Sequence, residues 1–264
     1  MLVSRLQFLY NFGVSKVFLS VVIPSYDEMA NLQKGVLDKV EHFLGRKKYS
    51  YEVIVVDDGS TDGSIEFAER FIKDNNNFKL IKNPHLGKAG AVTKGVLEAK
   101  GRYILFTDMD QATPIEEVDK LLPYFNKGYN IVIGSRNSKR KGAPYSRILM
   151  ARGMMFLRGF LIGIKGVSDT QCGFKMFRHD VAKKLFARID SLHSTQTKIT
   201  GSSVSAGFDV ELIYLAEKLG YKIKEVPVNW LYVETRRVNP IKDSIEGFMD
   251  LIRIKINDLR GVYR

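Results

Sequence analysis

Arg102-Tyr103-Ile104-Leu105-Phe106-Thr107-Asp108-Met109-Asp110-Gln111-Ala112-Thr113-Pro114-Ile115-Glu116-Glu117 decides how this chain folds. The run Tyr103–Thr107 is apolar, aromatic and branched, which reads as a buried strand. It stops at two carboxylates separated by one residue, and Pro114 then opens a helix. Alternation along an extended backbone would put Asp108 and Asp110 on the same side, about 6–7 Å apart at Cα. Such a pair suits a hard divalent ion whose shell is completed by phosphate oxygens and water. The plain alternative is a capped, solvated turn, and an Asp-x-Asp alone is too short to choose between them.

Outward from this stretch, strands and helices alternate. Val17–Ile23 is a branched strand that Pro24 is expected to end, since proline cannot donate to a central ladder. A helix capped by Asn31 should run to about Leu44. Tyr51–Val56 is a second strand, closed by Asp57-Asp58-Gly59-Ser60-Thr61-Asp62-Gly63, and a helix follows to about Asp74. Phe78–Ile81 is a third strand, and Gly87-Lys88-Ala89-Gly90 opens a helix that closes at Gly101. This alternation predicts an α/β protein with right-handed crossovers and a mostly parallel sheet. Ligands bind beyond the carboxyl ends of such strands. Ser25–Glu28, Asp57–Asp62 and Asp108–Gln111 all lie there. A dinucleotide fingerprint and a P-loop are both absent, because Pro24-Ser25-Tyr26 stands where the first would begin. The Gly87-Lys88 turn offers backbone N–H groups and a lysine to a phosphate, or is simply a helix start.

Composition narrows the partners. The chain has 264 residues and a net charge of +12. Residues 1–135 carry 17 basic and 17 acidic side chains, residues 136–188 carry 13 and 2, and residues 189–264 carry 11 and 10. The surplus therefore sits in one middle segment, which marks an anionic partner better than a high overall charge does. A lone cysteine, Cys172, excludes an internal disulfide and points to a reducing compartment. His42, His85, His179 and His193 lack zinc-ligand spacing and read as surface or loop residues. No secretory leader or run of ~20 uncharged residues is evident, so a soluble or peripheral protein is expected.

Tyr145–Lys165 reads as helical, with Arg147, Arg158 and Lys165 within about 20° of one another on an otherwise apolar wheel. That pattern fits a membrane interface, or a core helix pair whose arginines reach the surface. Asp190–Gly207, rich in Ser, Thr and Gly, reads as a mobile loop. Asp209–Leu219 is a helix and Lys222–Val228 a strand. Trp230 and Tyr232 read as packing residues. Ile245, Phe248, Met249, Ile252, Ile256 and Leu259 define an amphipathic helix capped by Asp243.

Taken in order, Pro24-Ser25-Tyr26-Asp27-Glu28, Val55-Val56-Asp57-Asp58-Gly59-Ser60-Thr61-Asp62, Gly87-Lys88-Ala89-Gly90 and Asp108-Met109-Asp110 resemble the core motifs of family 2 glycosyltransferases with the GT-A fold. Ile133-Gly134-Ser135-Arg136, Ser168–Lys175 and Phe208-Asp209-Val210-Glu211 look like the dolichyl-phosphate glucose and mannose synthase branch, the second run most like the glucose enzymes. The resemblance covers Val17 to about Leu259. It implies one domain over 1–264, with a nucleotide-sugar half (17–135) and an acceptor half (136–264).

It also implies roles. Pro24, Tyr26, Glu28 and Asp57 match the base-binding positions, and a carboxylate, which only accepts, suits a base imino N–H. Gly87 and Lys88 match donor-phosphate positions. Asp108 would face ribose and metal, and Asp110 would ligate Mg2+ or Mn2+ on the diphosphate, leaving Gln111 without a role. Arg136 and Lys175 match acceptor-phosphate positions, while Asp169 positions that loop or pairs with Lys175, the pairing being preferred. Turn chemistry is the plain alternative for both Asp58 and Asp62, and it is the preferred reading for Asp62. Arg236 and Arg237 match a region that is often basic near the donor phosphates.

The implied reaction moves glucose from UDP-glucose to a polyprenyl or dolichyl phosphate, with inversion, at the cytoplasmic face of a membrane. An ionised phosphate needs no general base, unlike a hydroxyl. The competing readings are a GDP-mannose enzyme or transfer to a glycan hydroxyl, with Asp209 or Glu211 as base. A basic nucleic-acid-binding module leaves the acidic strand ends unexplained, so no nucleic-acid partner is expected.

Overall fold

The structure, a computed structural model, describes residues 16–136, 153, 159, 161–164, 166–193, 206–231 and 240–263. The stripe Arg147, Arg158 and Lys165, together with Tyr232, Arg236 and Arg237, lies outside the described residues.

The chain runs β1 (Leu19–Ser25), α1 (Met29–Leu32), α2 (Val36–Gly45), β2 (Tyr51–Asp57), α3 (Ser64–Lys73), β3 (Phe78–Lys82), α4 (Gly87–Glu98) and β4 (Tyr103–Thr107). A 3-10 turn (Ile115–Glu117), α5 (Val118–Asn126), β5 (Ile131–Ser135), β6 (Phe174–Arg178), α6 (His179–His193), α7 (Ala206–Lys218), β7 (Ile223–Pro227) and α8 (Pro240–Leu259) follow. Seven strands form one sheet in the order β3-β2-β1-β4-β6-β5-β7. β6 runs antiparallel to β4 and β5, and the other pairs are parallel.

Period-two alternation splits the apolar side chains between two layers. Val22, Ile54, Val56, Ile104, Phe106, Ile133 and Phe177 face α4, α6, α7 and α8. Val21, Ile23, Val53, Val55, Leu105, Val132 and Met176 face α1, α2 and α5. A sheet buried on both faces explains strands that read as almost continuous apolar runs. Burying each Leu, Ile or Phe here contributes about 1.5–3 kcal/mol.

Several boundaries differ from the sequence expectation. β1 runs through Pro24 to Ser25, in register with Val56 and Asp57 of β2. The missing N–H is tolerated because β4 stops pairing with β1 at Val22↔Phe106, leaving that side of Pro24 open. The first helix breaks at Gly35, whose φ is +70°. Asn31 therefore sits inside α1 and donates to Glu28 Oε2 at 2.5 Å rather than capping. Of the loop expected over Asp190–Gly207, Asp190–His193 belong to α6 and Ala206–Gly207 to α7, and residues 194–205 lie outside the described residues. α8 starts at Pro240, a residue pre-set for a first helical turn, so Asp243 lies within the helix.

The antiparallel β6 has the consequence that matters. Thr107 pairs with Phe174 and Ile133 with Lys175, so the segment entering β6 lies at the carboxyl ends of β4 and β5. Residues 168–173 are thereby brought beside Asp108 and Arg136, although more than thirty residues separate them in sequence from either.

Candidate active site

β4 ends at Thr107, and Asp108–Gln111 is a turn, not extended strand. The turn closes with Gln111 N–H donating to Asp108 O at 3.2 Å, and Gln111 takes φ +48°. Thus the two carboxylates come together through a turn rather than through strand alternation. Asp110 Oδ1 accepts the Ala112 N–H at 3.0 Å. Its pKa is raised, first by burial and then by the charge of Asp108, with Lys88 and the Ala112 bond working the other way. Lys88 Nζ lies 2.5 Å from Asp108 Oδ1. The Asp108, Asp110 and Asp209 charges push the Lys88 pKa up against its own burial.

Gly173 fixes where Asp108 sits. A Cβ built on it would fall 2.0 Å from Asp108 Oδ2, well inside van der Waals contact. Gly173→Ala should therefore force the carboxylate aside while leaving the core untouched. A misplacement of about 1 Å at a reacting centre costs ~10²-fold. The expected outcome is a kcat about a hundredfold lower with an unchanged melting temperature; an active variant would show that Asp108 can move freely.

Asp58, which the sequence leaves open, has partners far along the chain. It reaches across 25 to 29 residues rather than serving a local turn, accepting from Asn83 Nδ2 (2.5 Å), Leu86 N–H (2.9 Å) and Gly87 N–H (2.7 Å). His85 Nδ1 lies 2.7 Å from its carbonyl oxygen. This buried carboxylate pins the loop that delivers Lys88. The Gly87 N–H expected to face a phosphate is spent on Asp58, and its φ of +76° explains the glycine. The Asp58 signal was its position at the end of a buried strand; nothing in the sequence pointed to its partners.

His85 reads from the sequence as an ordinary loop residue. Its ring stacks on Tyr26, centroids 4.4 Å apart. Asp27, His85 and Gln111 are the non-glycine residues with positive φ among the described residues, and they follow β1, β3 and β4 in turn. Such strained residues cost of order 1–3 kcal/mol and cluster at functional sites.

Pro24, Tyr26, Glu28 and Asp57 all fall at the β1 and β2 ends, as expected. Asp57 accepts from Gly59 N–H, Ser60 N–H and the Ser60 hydroxyl, at 3.0, 2.9 and 2.5 Å. Of its roughly four lone-pair directions, about one remains. Asp62 is the local residue it was read as, accepting from Ser64 N–H and hydroxyl, although it also takes the Met29 N–H.

On the other side, Asp169 pairs with Arg136 and not with Lys175. Arg136 Nε and Nη2 reach Asp169 Oδ2 and Oδ1 at 2.8 and 2.7 Å, and the Arg136 N–H donates to Oδ2 at 2.9 Å. The fork geometry of guanidinium favours this over an ammonium. It holds the Asp169 pKa down at about 2, against the cost of burial. Because folding lowers this pKa, the stabilisation is complete above the usual Asp value of about 3.9 and is lost as pH falls toward 2. Glu225 of β7, unremarked in the sequence, ties down the loop through Ser168 N–H, Ser168 hydroxyl and Asp169 N–H.

Lys175 is 0% exposed. Its ammonium donates to Cys172 O at 2.6 Å and Asp209 Oδ1 at 2.5 Å, over the Phe106 ring. Strand alternation is the reason: Lys175 lies between Phe174 and Met176 and points into the opposite layer. Cys172 is buried and its thiol is pushed up to about 11, so it is unreactive. Glu211, the other base candidate, accepts from Tyr263 hydroxyl at 2.5 Å and contacts His193 Nε2 at 2.8 Å.

The donor set fits a divalent cation bound with a phosphorylated ligand. Two hard carboxylates share one lysine, burial and mutual repulsion raise Asp110, and Gln111 Oε1 is buried without a hydrogen-bond partner among the described residues. Among those residues no cluster of three or more His, Cys, Asp or Glu would hold a metal unaided.

Residues 20–186 match glycosyl transferase family 2. The chain belongs to that family. It is 33% identical to the dolichyl-phosphate beta-glucosyltransferase of Dictyostelium discoideum, over 95% of this chain and 78% of that protein. The Homo sapiens protein of the same name is 35% identical over 93% and 77%. Among solved structures, mannosyl-3-phosphoglycerate synthase from Rubrobacter xylanophilus superposes with a TM-score of 0.67 at 15% identity, covering 97% of this chain and 78% of that one. Glucosyl-3-phosphoglycerate synthase from Mycobacterium tuberculosis, in complex with Mn2+, UDP and glucosyl-3-phosphoglycerate, gives 0.56 at 18% identity, over 91% and 79%. The fold is the GT-A arrangement that the motifs implied, and this family 2 chain is a glycosyltransferase.

Proposed function

We propose that the chain transfers glucose from UDP-glucose to the phosphate of a dolichyl or other polyprenyl phosphate, with inversion. The relatives named above are dolichyl-phosphate beta-glucosyltransferases, names that give the sugar and the lipid phosphate. One observation of the site carries the phosphate acceptor: both carboxylates available as general base are already committed, Asp209 to Lys175 and Glu211 to His193 and Tyr263. A hydroxyl acceptor needs such a base, whereas a phosphate monoester arrives ionised.

Residues 17–135 form the donor side. Tyr26, Glu28 and Asp57 line the base position at the strand ends, and Lys88 meets the diphosphate. A divalent cation, Mg2+ or Mn2+, held by Asp108 and Asp110 would supply neutralisation of charge on the departing nucleoside diphosphate. Residues 136–264 form the acceptor side. Arg136, braced by Asp169, keeps N–H groups beyond those spent on the pair and offers them to the acceptor phosphate. Lys175 acts from behind, holding the Cys172 carbonyl and so the loop that carries Asp169 and Gly173. The protein works as a peripheral enzyme on the cytoplasmic face of a membrane. Among the described residues no helix is long and apolar enough to cross one.

Incubation with labelled UDP-glucose or GDP-mannose, Mg2+ or Mn2+ and dolichyl phosphate tests this. Organic-extractable label is expected with UDP-glucose and is expected to vanish on chelation. Label from GDP-mannose alone would overturn the donor, and none from any nucleotide sugar would overturn the lipid phosphate. Asp169→Asn should loosen Arg136 and raise the acceptor KM about tenfold or more, with the donor KM unchanged.

A further inference from the structure

The six apolar residues that marked α8 as amphipathic do not form its buried face. At about 100° per residue, Ile245, Phe248, Met249, Ile252, Ile256 and Leu259 fall inside an arc of roughly 100°. Contact with the core is made by Leu251 and Ile254, which lie outside this arc, Ile254 opposite its centre. Ile245, Met249 and Leu259 are 60%, 58% and 75% exposed. Among the described residues seven large apolar side chains are exposed, and five of them belong to this arc. Scattered exposed apolar residues need no explanation, but a contiguous stripe marks an interaction surface.

The charges around the arc say what it meets. Arg253 and Arg260 lie along one edge and Lys255 along the other, all exposed. Glu246, Asp250 and Asp258 fall further round. Asp250 accepts the Gly207 N–H of α7 and also pairs with Arg253 at 2.8 Å, which leaves Arg253 half exposed, while Asp258 pairs with Lys218. An apolar stripe bordered by basic residues, with acidic ones kept behind, suits an anionic lipid surface. A second copy of the same face would set Arg253 and Lys255 against like charges. Seven charged residues between Lys242 and Asp258 exclude insertion across a bilayer.

We infer that α8 lies flat on the membrane and docks the protein there through Ile245, Phe248, Met249, Ile252, Ile256 and Leu259, its basic borders on anionic headgroups. This rests on the lipid-phosphate reading above but concerns a different part of the molecule. Cys172, the chain's one cysteine, is buried, so Met249→Cys takes a polarity-sensitive fluorophore at a single exposed position. Vesicles of phosphatidylcholine with phosphatidylserine should shift its emission to the blue, and brominated lipid should quench it. The same label at Glu246→Cys, about 60° round the helix from Met249 and about 110° from the centre of the arc, should respond several-fold less. Equal responses at both positions, or none at either, would overturn the inference. So would a shift that grows with protein concentration without vesicles, which would instead indicate self-association. As a second arm, Phe248→Gln with Met249→Gln should abolish vesicle flotation while keeping turnover of a short-chain, water-soluble polyprenyl phosphate. Undiminished flotation would also overturn it. A labelled protein that responds to vesicles yet transfers no sugar to any polyprenyl phosphate would sink the function and leave the docking face standing.

Discussion

Asp110→Asn should reduce kcat by about 10³-fold or more, equivalent to about 4 kcal/mol of transition-state stabilisation. The carboxamide keeps an oxygen for the Ala112 N–H, so the turn survives, but the charge is gone. What remains, Asp108, is already paired with Lys88 at 2.5 Å. The metal-free protein should not suffer, because burial and the neighbouring Asp108 raise the Asp110 pKa and so oppose its charge. Its melting temperature is expected to hold or rise. Asp108→Asn makes the contrast. It too should be inactive, but it strips Lys88 of its partner and should lose some stability, less than about 1 kcal/mol because both groups are partly exposed. Steady-state assays with UDP-glucose, alongside thermal melts without metal, read both effects. Near-normal turnover in Asp110→Asn would remove the metal assignment.

How much of this was legible depended on whether a residue's partner was local. The strands were, because a run such as Tyr103–Thr107 is apolar on both faces whatever it pairs with. The polar strand ends were too, since alternating elements place them at one edge. The turn at Asp108–Gln111 was not. Its geometry comes from a left-handed Gln111 and from Gly173, on the segment entering an antiparallel strand whose place the sequence order does not reveal. Asp58 shows the same limit. Asp-Gly reads as a turn pair, and only the folded chain brings Asn83, Leu86 and Gly87 to its carboxylate. Asp169 and Lys175, six residues apart, invited a pairing that strand alternation forbids. Spacing on the C-terminal helix found an apolar stripe but left open what it meets, because periodicity says which residues share a face and not what covers it.

Asp209→Ala should be the most destabilising of the single substitutions at this site. It strands the Lys175 ammonium in a position with no exposure, with the Cys172 carbonyl as its remaining hydrogen-bond partner among the described residues. Removing one member of a buried ion pair costs about 3–5 kcal/mol, and in a chain of this size each kcal/mol is worth about 2–4 °C of melting temperature. A drop of roughly 10–15 °C is expected. Replacing both members with apolar residues of similar volume, Lys175→Met with Asp209→Leu, should recover most of it, because a buried pair pays its desolvation cost whether or not it does chemistry. That double variant also decides what Lys175 is for. If the lysine only braces the loop, the acceptor KM of the refolded protein should stay within a few-fold of the parent while the Asp169→Asn effect on it persists. A rise of a hundredfold or more in acceptor KM, with the fold intact, would mean that substrate draws Lys175 away from Asp209 and onto the phosphate. With the ammonium fully buried, paired at 2.5 Å and hydrogen-bonded at 2.6 Å, breaking that pair would use up binding energy that Arg136 already supplies from a more accessible position. The bracing outcome is the one expected.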